Sequence, residues 1–490
     1  MLGLRSTRRV QLIIFVGFCT LAITLLLNST SQSVRAKLSS FLPGNSFDGA
    51  GEASRTPPEP PTWDSLQEWE ASLPQHNLDL PFPEGREGRY VKFSNQVREL
   101  GWNNVLNELL MNAHLAYISN RTYVFQDYYW KKDYYTWPSS TWRTDPPRTP
   151  LNALISGPAA GGPFEPNDPS PRAVSENFFD VVCPGNKRKL LYTEDIKPKI
   201  GWASGIDILN SWAKILRDEP AKCIEIIPAD EAFDQFPQTF DLWLWGSDRV
   251  LSLWEPFIQS PISRLLETSP VVNSAIDANE HLFFPRGSRL PVSGGAKVID
   301  TGSDSGWPKN PFSRVMAVHV RRGDFKEACE RLAYYNSTFY SWNLLPDLPD
   351  PFSVPPSVRW NTDEYNQLYH ERCFPETEAM IKKIRESRDT FVKSFDGQDV
   401  VLETLYLLTN AKGEWLAALK EELERDGWHT IVTSRDLVLN AEQMDVNMAI
   451  DMDLARRAAV FIGNGWSSFT SNIVHRRLTD GNKPISVRFW

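Results

Sequence analysis

Val315-Met316-Ala317-Val318-His319-Val320-Arg321-Arg322-Gly323-Asp324-Phe325 is the stretch on which the reading of this chain turns. The run 314–320 is dominated by apolar, partly β-branched side chains, the pattern of a strand buried on both faces. It stops without a spacer at two arginines, a glycine and an acid. In open α/β sheets, ligands bind beyond the carboxyl ends of the strands. Two guanidiniums at such an end suit a diphosphate, because arginine presents paired donors to phosphate oxygens and the glycine lets the backbone come close. Strand alternation puts Arg321 and Arg322 on opposite faces, so one of them points at a ligand. The plain alternative is a surface salt bridge in which Asp324 pairs an arginine.

Outward from this strand, the second half alternates strand and helix signals. Residues 401–408 form another apolar run. Residues 413–425 place Trp415, Leu416, Leu419 and Leu423 on one helical face, with Gly427 as the stop. Residues 430–432 read as a strand, 447–458 as a helix and 459–462 as a strand. The first half opens in the same way: strand 89–93, loop 94–102, a helix over 104–119 carrying Val105, Leu109, Ala113 and Ala116, and strand 122–125. Such alternation predicts parallel sheets covered by helices. The expected fold class is α/β, with two Rossmann-like domains, 86–300 and 301–490, around a central cleft. Their boundary is expected in the Gly/Ser-rich stretch 293–306. Residues 128–175, aromatic and then rich in Pro and Gly, read as an elaborated loop.

Two further elements carry chemistry. In Phe461-Ile462-Gly463-Asn464-Gly465-Trp466-Ser467-Ser468-Phe469-Thr470, a strand ends at Ile462, two glycines permit tight turns and hydroxyls open a helix. A helix N-terminus offers N–H groups to an anion; the bland reading is a serine cap. Gly101-Trp102-Asn103-Asn104 puts two amides at a loop–helix junction, able to bond sugar or phosphate oxygens or simply to cap the helix.

Together these segments resemble the GDP-fucose protein O-fucosyltransferase family. That family shows a Gly-x-Asn-Asn loop before a helix that ends in Asn-Arg-Thr, as in Gly101 to Asn104 and Asn120-Arg121-Thr122. It shows His-x-Arg, a glycine turn, an acid and an aromatic, as in His319, Arg321, Gly323, Asp324 and Phe325, continued here by Lys326-Glu327-Ala328-Cys329. It also shows Phe-Ile-Gly-Asn followed by Ser-Ser-Phe-Ser/Thr, as in Phe461 to Asn464 and Ser467 to Thr470. Order and rough spacing agree over 86–490. The resemblance implies a two-lobed GT-B fold, GDP-fucose as donor, transfer with inversion, and no metal or other cofactor. It implies that Arg321 holds the β-phosphate, that His319 lines the donor site and that Asn103, with Asn104, lies near the fucose. Ser467, Ser468, Phe469 and Thr470 would contact phosphates and nucleoside, and Asp451 stands where relatives carry an acid. One position departs: an acid two residues before the Phe in relatives is Ala459 here. Arg321 is the expected catalytic centre, with Glu108, Asp324 and Glu87 as candidate general bases. The stretch 330–372 looks expanded, which bears on the acceptor. Two rival readings stand beside transfer to a protein Ser or Thr: a fucosyltransferase acting on a glycan, and a non-catalytic lumenal scaffold or lectin that kept the fold.

The rest of the chain sets the setting. Its 490 residues carry a net charge of -9 and a pI near 5.5, which argues against a nucleic-acid partner, since that needs a basic field. A local pocket for one nucleotide sugar is compatible with it. Arg5, Arg8 and Arg9 precede an apolar segment, 10–27, whose 18 residues would span roughly 27 Å as a helix. With no small-residue cleavage site after it, the segment reads as a signal-anchor with residues 1–9 in the cytosol. Residues 28–85, rich in Pro, Ser, Gly and Glu, read as a flexible stem. The expected location is the Golgi or endoplasmic-reticulum membrane, single-pass, with the body lumenal. In that oxidising space Cys183, Cys223, Cys329 and Cys373 are expected to pair by proximity, Cys183 with Cys223 and Cys329 with Cys373. Three sequons occur, at Asn28, Asn120 and Asn336, and Asn336 is the best glycan candidate. No Cys/His spacing of a metal site appears.

Overall fold

The strand read at 314–320 is the middle of a five-stranded parallel sheet. In this computed structural model, residues 59–96, 100–230, 232–284, 310–323, 325–394 and 401–490 are described. They belong to one compact unit, Pro57–Trp490. The first lobe contains β1 (Tyr90–Phe93), β2 (Thr122–Phe125), β3 (Tyr128–Tyr129), β4 (Arg148–Thr149), β5 (Ile155–Ser156), β6 (Val174–Ser175), β7 (Lys189–Tyr192), β8 (Cys223–Ile227) and β9 (Glu267–Thr268). The second contains β10 (Val315–Val320), β11 (Thr404–Thr409), β12 (Thr430–Thr433), β13 (Val460–Gly463) and β14 (Val487–Phe489).

Each lobe holds one parallel five-stranded sheet, ordered β6-β2-β1-β8-β7 and β12-β11-β10-β13-β14. In both, the chain starts in the centre, winds one way, then returns to the other side. That is the doubly wound arrangement, whose switch point lies beside the first strand. The small pairs β3–β4 and β5–β9 are antiparallel additions to the first lobe.

The faces of β10 explain its sequence. Val315 and Ala317 pack into one apolar cluster, while Met316, Val318 and Val320 pack into another with Leu405, Leu407 and Ile462. The first cluster runs through both lobes, from Val91 and Leu109 to Val446 and Phe489. The two sheets are thus built on a shared apolar core. Polar ties reinforce it. Asn472 Nδ2 donates to the Asn103 carbonyl at 2.9 Å. Asp445, fully buried, accepts from Trp63 Nε1 at 3.3 Å, Trp137 Nε1 at 3.0 Å and Thr149 Oγ1 at 2.7 Å.

The flexible stem expected over 28–85 does not hold for its described part, from residue 59 on, and 28–58 lie outside the described residues. Of residues 28–85, those from 59 on are folded: Asp64–Ala71 is a helix, Trp63 and Leu73 sit in the core, and Gln75 Nε2 donates to the Gly161 and Ala173 carbonyls at 2.8 and 2.9 Å. A few apolar anchors hold this polar segment down, and periodicity cannot reveal them. The expected tail and membrane span, 1–27, and the domain boundary at 293–306 lie outside the described residues. Among the described residues no helix is long and apolar enough to cross a membrane. Both expected disulfides are present, Cys183–Cys223 and Cys329–Cys373.

Candidate functional site

Beyond the carboxyl ends of the second sheet opens a cleft of about 820 Å³. His319 and Arg321 enter it from β10, Thr409 and Asn410 from β11, Ser434 and Arg435 from β12, and Ser467 to Phe469 from the loop after β13. Gly101 to Asn104, Tyr128, Trp130 and Tyr134 face them from the first lobe.

The two arginines part as alternation requires. Arg321 continues the face of Ala317 and His319 and lines the cleft, its guanidinium 4.9 Å from the Phe325 ring centre. Arg322 continues the face of Val318 and Val320. Its side chain is buried between the rings of Phe374 and Trp415, at 4.2 and 4.7 Å, and donates to the Pro375 carbonyl. Gly323 follows at φ 68°, the left-handed region that favours glycine. Asn410 bonds the Arg322 backbone twice: its Oδ1 accepts from the N–H at 2.8 Å, and its Nδ2 donates to the carbonyl at 2.9 Å.

His319 is buried, 3.3 Å from Thr470 Oγ1 through Nδ1 and 4.7 Å from the Phe469 ring centre. Burial, with the charge of Arg321 beside it, pushes its imidazole down to about 3, so it is neutral at physiological pH. Two helices begin at the cleft. Trp102–Ile118 starts after Gly101, and Ser468–Thr479 starts after Ser467. Neither has a side-chain cap, and neither has an acidic residue in its first turn. The first N–H groups of a helix lack intrahelical partners and carry the positive end of its dipole. One cleft therefore combines a guanidinium with two positive helix ends, a field built for an anion.

Asp451 lines the same space on the Asn447–Arg457 helix. It accepts from Tyr406 Oη and, at 2.7 Å, from Ser434 Oγ. Burial raises its carboxyl to about 6, with the two hydroxyls opposing that rise. Leu437, Leu439, Met444 and Met448 give this end of the cleft an apolar lining.

Of the residues singled out in the sequence, Asn103, Asn104, His319, Arg321, Asp451, Ser467, Ser468 and Phe469 meet at the cleft. Others do not. Thr470 is fully buried; its hydroxyl accepts from the Asn464 N–H at 3.1 Å and faces His319, so it braces the lining from behind. Glu108 is fully buried on the core side of its helix and accepts from the Thr239 and Phe240 N–H groups and from Asn112. Burial pushes its carboxyl up to about 8, and no acceptor can reach it there. The reason is helical spacing: Glu108 stands three residues after Val105, on the apolar stripe. Glu87 pairs Lys222 on the surface, away from the cleft. Asp324 lies outside the described residues. Asn336 is exposed, with its Oδ1 accepting from Tyr365 Oη at 2.7 Å. Among the described residues no group of three or more His, Cys, Asp or Glu side chains is placed to hold a metal ion.

Sequence reasoning missed Asn410, Ser434, Arg435 and the aromatic wall of Tyr128, Trp130 and Tyr134. The first three had a signal: strands were read at 401–408 and 430–432, and the residues just past their carboxyl ends are where such sheets bind. The aromatic wall had none beyond composition.

No protein-family model matches this chain, and no curated protein matches its sequence. Among solved structures, the fold is similar to a crystal structure of POFUT1 in complex with GDP-fucose, at 14% identity and a TM-score of 0.47, over 82% of this chain and 97% of that one. A crystal structure of POFUT1 in complex with GDP is matched at 14% identity and a TM-score of 0.46, over 82% of this chain and 98% of that one. A mutant of Arabidopsis thaliana FUT1 in complex with GDP is matched at 11% identity and a TM-score of 0.32, over 85% of this chain and 74% of that one. These are likenesses of overall fold.

Proposed function

We propose that this chain transfers fucose from GDP-fucose to an acceptor hydroxyl, the side chain of a Ser or Thr on a secretory-pathway protein, with inversion and without a metal ion. One observation carries the reading: Arg321 and two uncapped, acid-free helix N-termini face the same cleft. Such a field stabilises the negative charge that gathers on a departing diphosphate. The three motifs that resemble the protein O-fucosyltransferases supply the identity of the sugar and the base.

In this reading the acceptor oxygen attacks the anomeric carbon on the face opposite the phosphate. The bond from that carbon to the phosphate oxygen breaks, and its electron pair leaves with GDP. Arg321 and the Ser468–Thr479 helix N-terminus meet the growing charge. Asp451, held between Tyr406 and Ser434, suits the N–H edge of a purine lodged among Leu437, Leu439 and Met448. Asn103 and Asn104 bond sugar hydroxyls. The acceptor proton passes to a general base, for which Asp324, a candidate from the sequence, lies outside the described residues. We place the body in the lumen of the Golgi or endoplasmic reticulum, anchored by 10–27; two disulfides support an oxidising compartment.

Ala459 favours one rival, a non-catalytic protein that kept the fold, since relatives carry an acid there. Thermal unfolding with GDP, UDP or no ligand separates the two. GDP is expected to raise the midpoint and UDP to leave it; no shift with GDP counts against the transferase. Labelled GDP-fucose offered to secretory proteins and to free glycans then identifies the acceptor.

A further inference from the structure

The phosphate grip depends on a backbone that the sheet itself does not hold. The β10–β11 ladder pairs His319 with Leu408 and Val320 with Thr409, and both strands end there. Arg322, two residues past the strand, needs partners for its N–H and its carbonyl. Asn410, one residue past the end of β11, meets both with a single amide, at 2.8 and 2.9 Å. An amide is suited to this, because it carries a donor and an acceptor side by side and no charge. The side chain thus extends the parallel ladder by one step beyond the last strand residue. On the far face, Phe374, Trp415 and the Pro375 carbonyl clamp the Arg322 side chain. The peptide that follows Arg321 is therefore fixed from two sides, and Asn410 stands in the cleft beside Arg321.

We infer that Asn410 is a positioning residue: it aims the Arg321 guanidinium at the ligand's phosphates by locking the Arg322 backbone to the end of β11. The role rests on the diphosphate reading of the cleft proposed above. It makes a distinct demand, because a residue that acts through Arg321 matters for phosphates and not for the nucleoside.

The test is calorimetric titration of the full chain with GDP, pyrophosphate and guanosine, using wild type, Asn410→Ala, Arg321→Ala and the double variant. Asn410→Ala is expected to weaken GDP and pyrophosphate about 10-fold, the cost of one lost positioning contact, while guanosine stays within about 2-fold. In the Arg321→Ala background the same change is expected to cost less than about 2-fold, because its target is gone. Unchanged GDP affinity in Asn410→Ala overturns the inference. So does an equal loss for guanosine, or full additivity with Arg321→Ala. Should Asn410→Ala fail to fold, Asn410→Ser adds no charge but is too short to bond both the Arg322 N–H and its carbonyl. It is expected to weaken pyrophosphate and spare guanosine, and equal losses for both overturn the inference. A wild type that binds pyrophosphate but neither GDP nor guanosine refutes the guanine reading, and the pyrophosphate arm still decides the clamp.

Discussion

Replacing Asp445 with Ala is expected to loosen the two lobes from each other. The carboxylate is fully buried and accepts from the indoles of Trp63 and Trp137 and the hydroxyl of Thr149, three buried donors of the first lobe, with the Tyr135 hydroxyl also bonded to it. Thr149 also accepts from Trp130 Nε1 at 2.8 Å, and Trp130 lines the cleft. Removing the acceptor strands three buried donors. Each stranded donor costs about 1–3 kcal/mol, and relief of the carboxylate's own desolvation offsets part of that. A net loss of about 3–5 kcal/mol follows, a large share of the roughly 5–15 kcal/mol that stabilises a folded domain. Asp445→Asn keeps one acceptor oxygen and should lose about half as much. Urea unfolding followed by tryptophan emission reads the loss directly, since two of the donors are indoles. An Asp445→Ala variant within about 1 kcal/mol of wild type would refute the reasoning, because it would mean water or rearrangement satisfies the donors. The pH dependence has a definite sign. Burial raises the Asp445 carboxyl above its ordinary range. The folded state then holds the proton that the unfolded state has released, so this contribution is greatest at low pH and declines as pH rises through that window.

Four other outcomes are expected. Arg321→Ala should weaken GDP roughly 30- to 1000-fold, the equivalent of about 2–4 kcal/mol, without lowering the melting temperature of the free protein; calorimetry and thermal unfolding check both halves. Arg322→Ala should lower stability itself, by about 2–4 kcal/mol in urea unfolding, through lost packing between Phe374 and Trp415. Burial holds His319 and His475 down to about 3 and His114 to about 4, so each must charge on unfolding as pH falls below its ordinary 6.5. Stability should fall by up to about 1.4 kcal/mol per pH unit per imidazole below that point, which melts at pH 7 and pH 5 would show. Replacing Cys329 and Cys373 with Ser, which opens a link across 44 residues, should cost roughly 3–4 kcal/mol in urea unfolding.

How much of this was legible in the sequence depends on what each residue touches. The strands of the second lobe were readable because parallel strands covered on both faces need near-continuous apolar runs, as 315–320 and 404–409 do. β7 was not, because Lys189–Tyr192 is an edge strand with exposed residues, and β6 is two residues long. Arg321, His319 and the Ser467–Phe469 turn were legible because a strand end is a place with a rule attached. Glu108 was misjudged although its spacing placed it on the apolar stripe: an acid attracts a catalytic reading, and its partners, Thr239 and Phe240, lie 131 and 132 residues away. Asn410 was legible only by its place just past a strand end; that its amide replaces a backbone neighbour of Arg322 was not, because nothing in local sequence announces such a partner.

Residues 59–63 are docked against the segment 134–143. Arg143 donates to the Pro60 carbonyl at 3.3 Å and lies 3.7 Å from Glu59, while Trp63 reaches Asp445. This docking uses the segment that also carries Tyr134, the half-exposed ring at the cleft. Trimming the chain past Glu59 therefore removes contacts of the very segment that carries this ring.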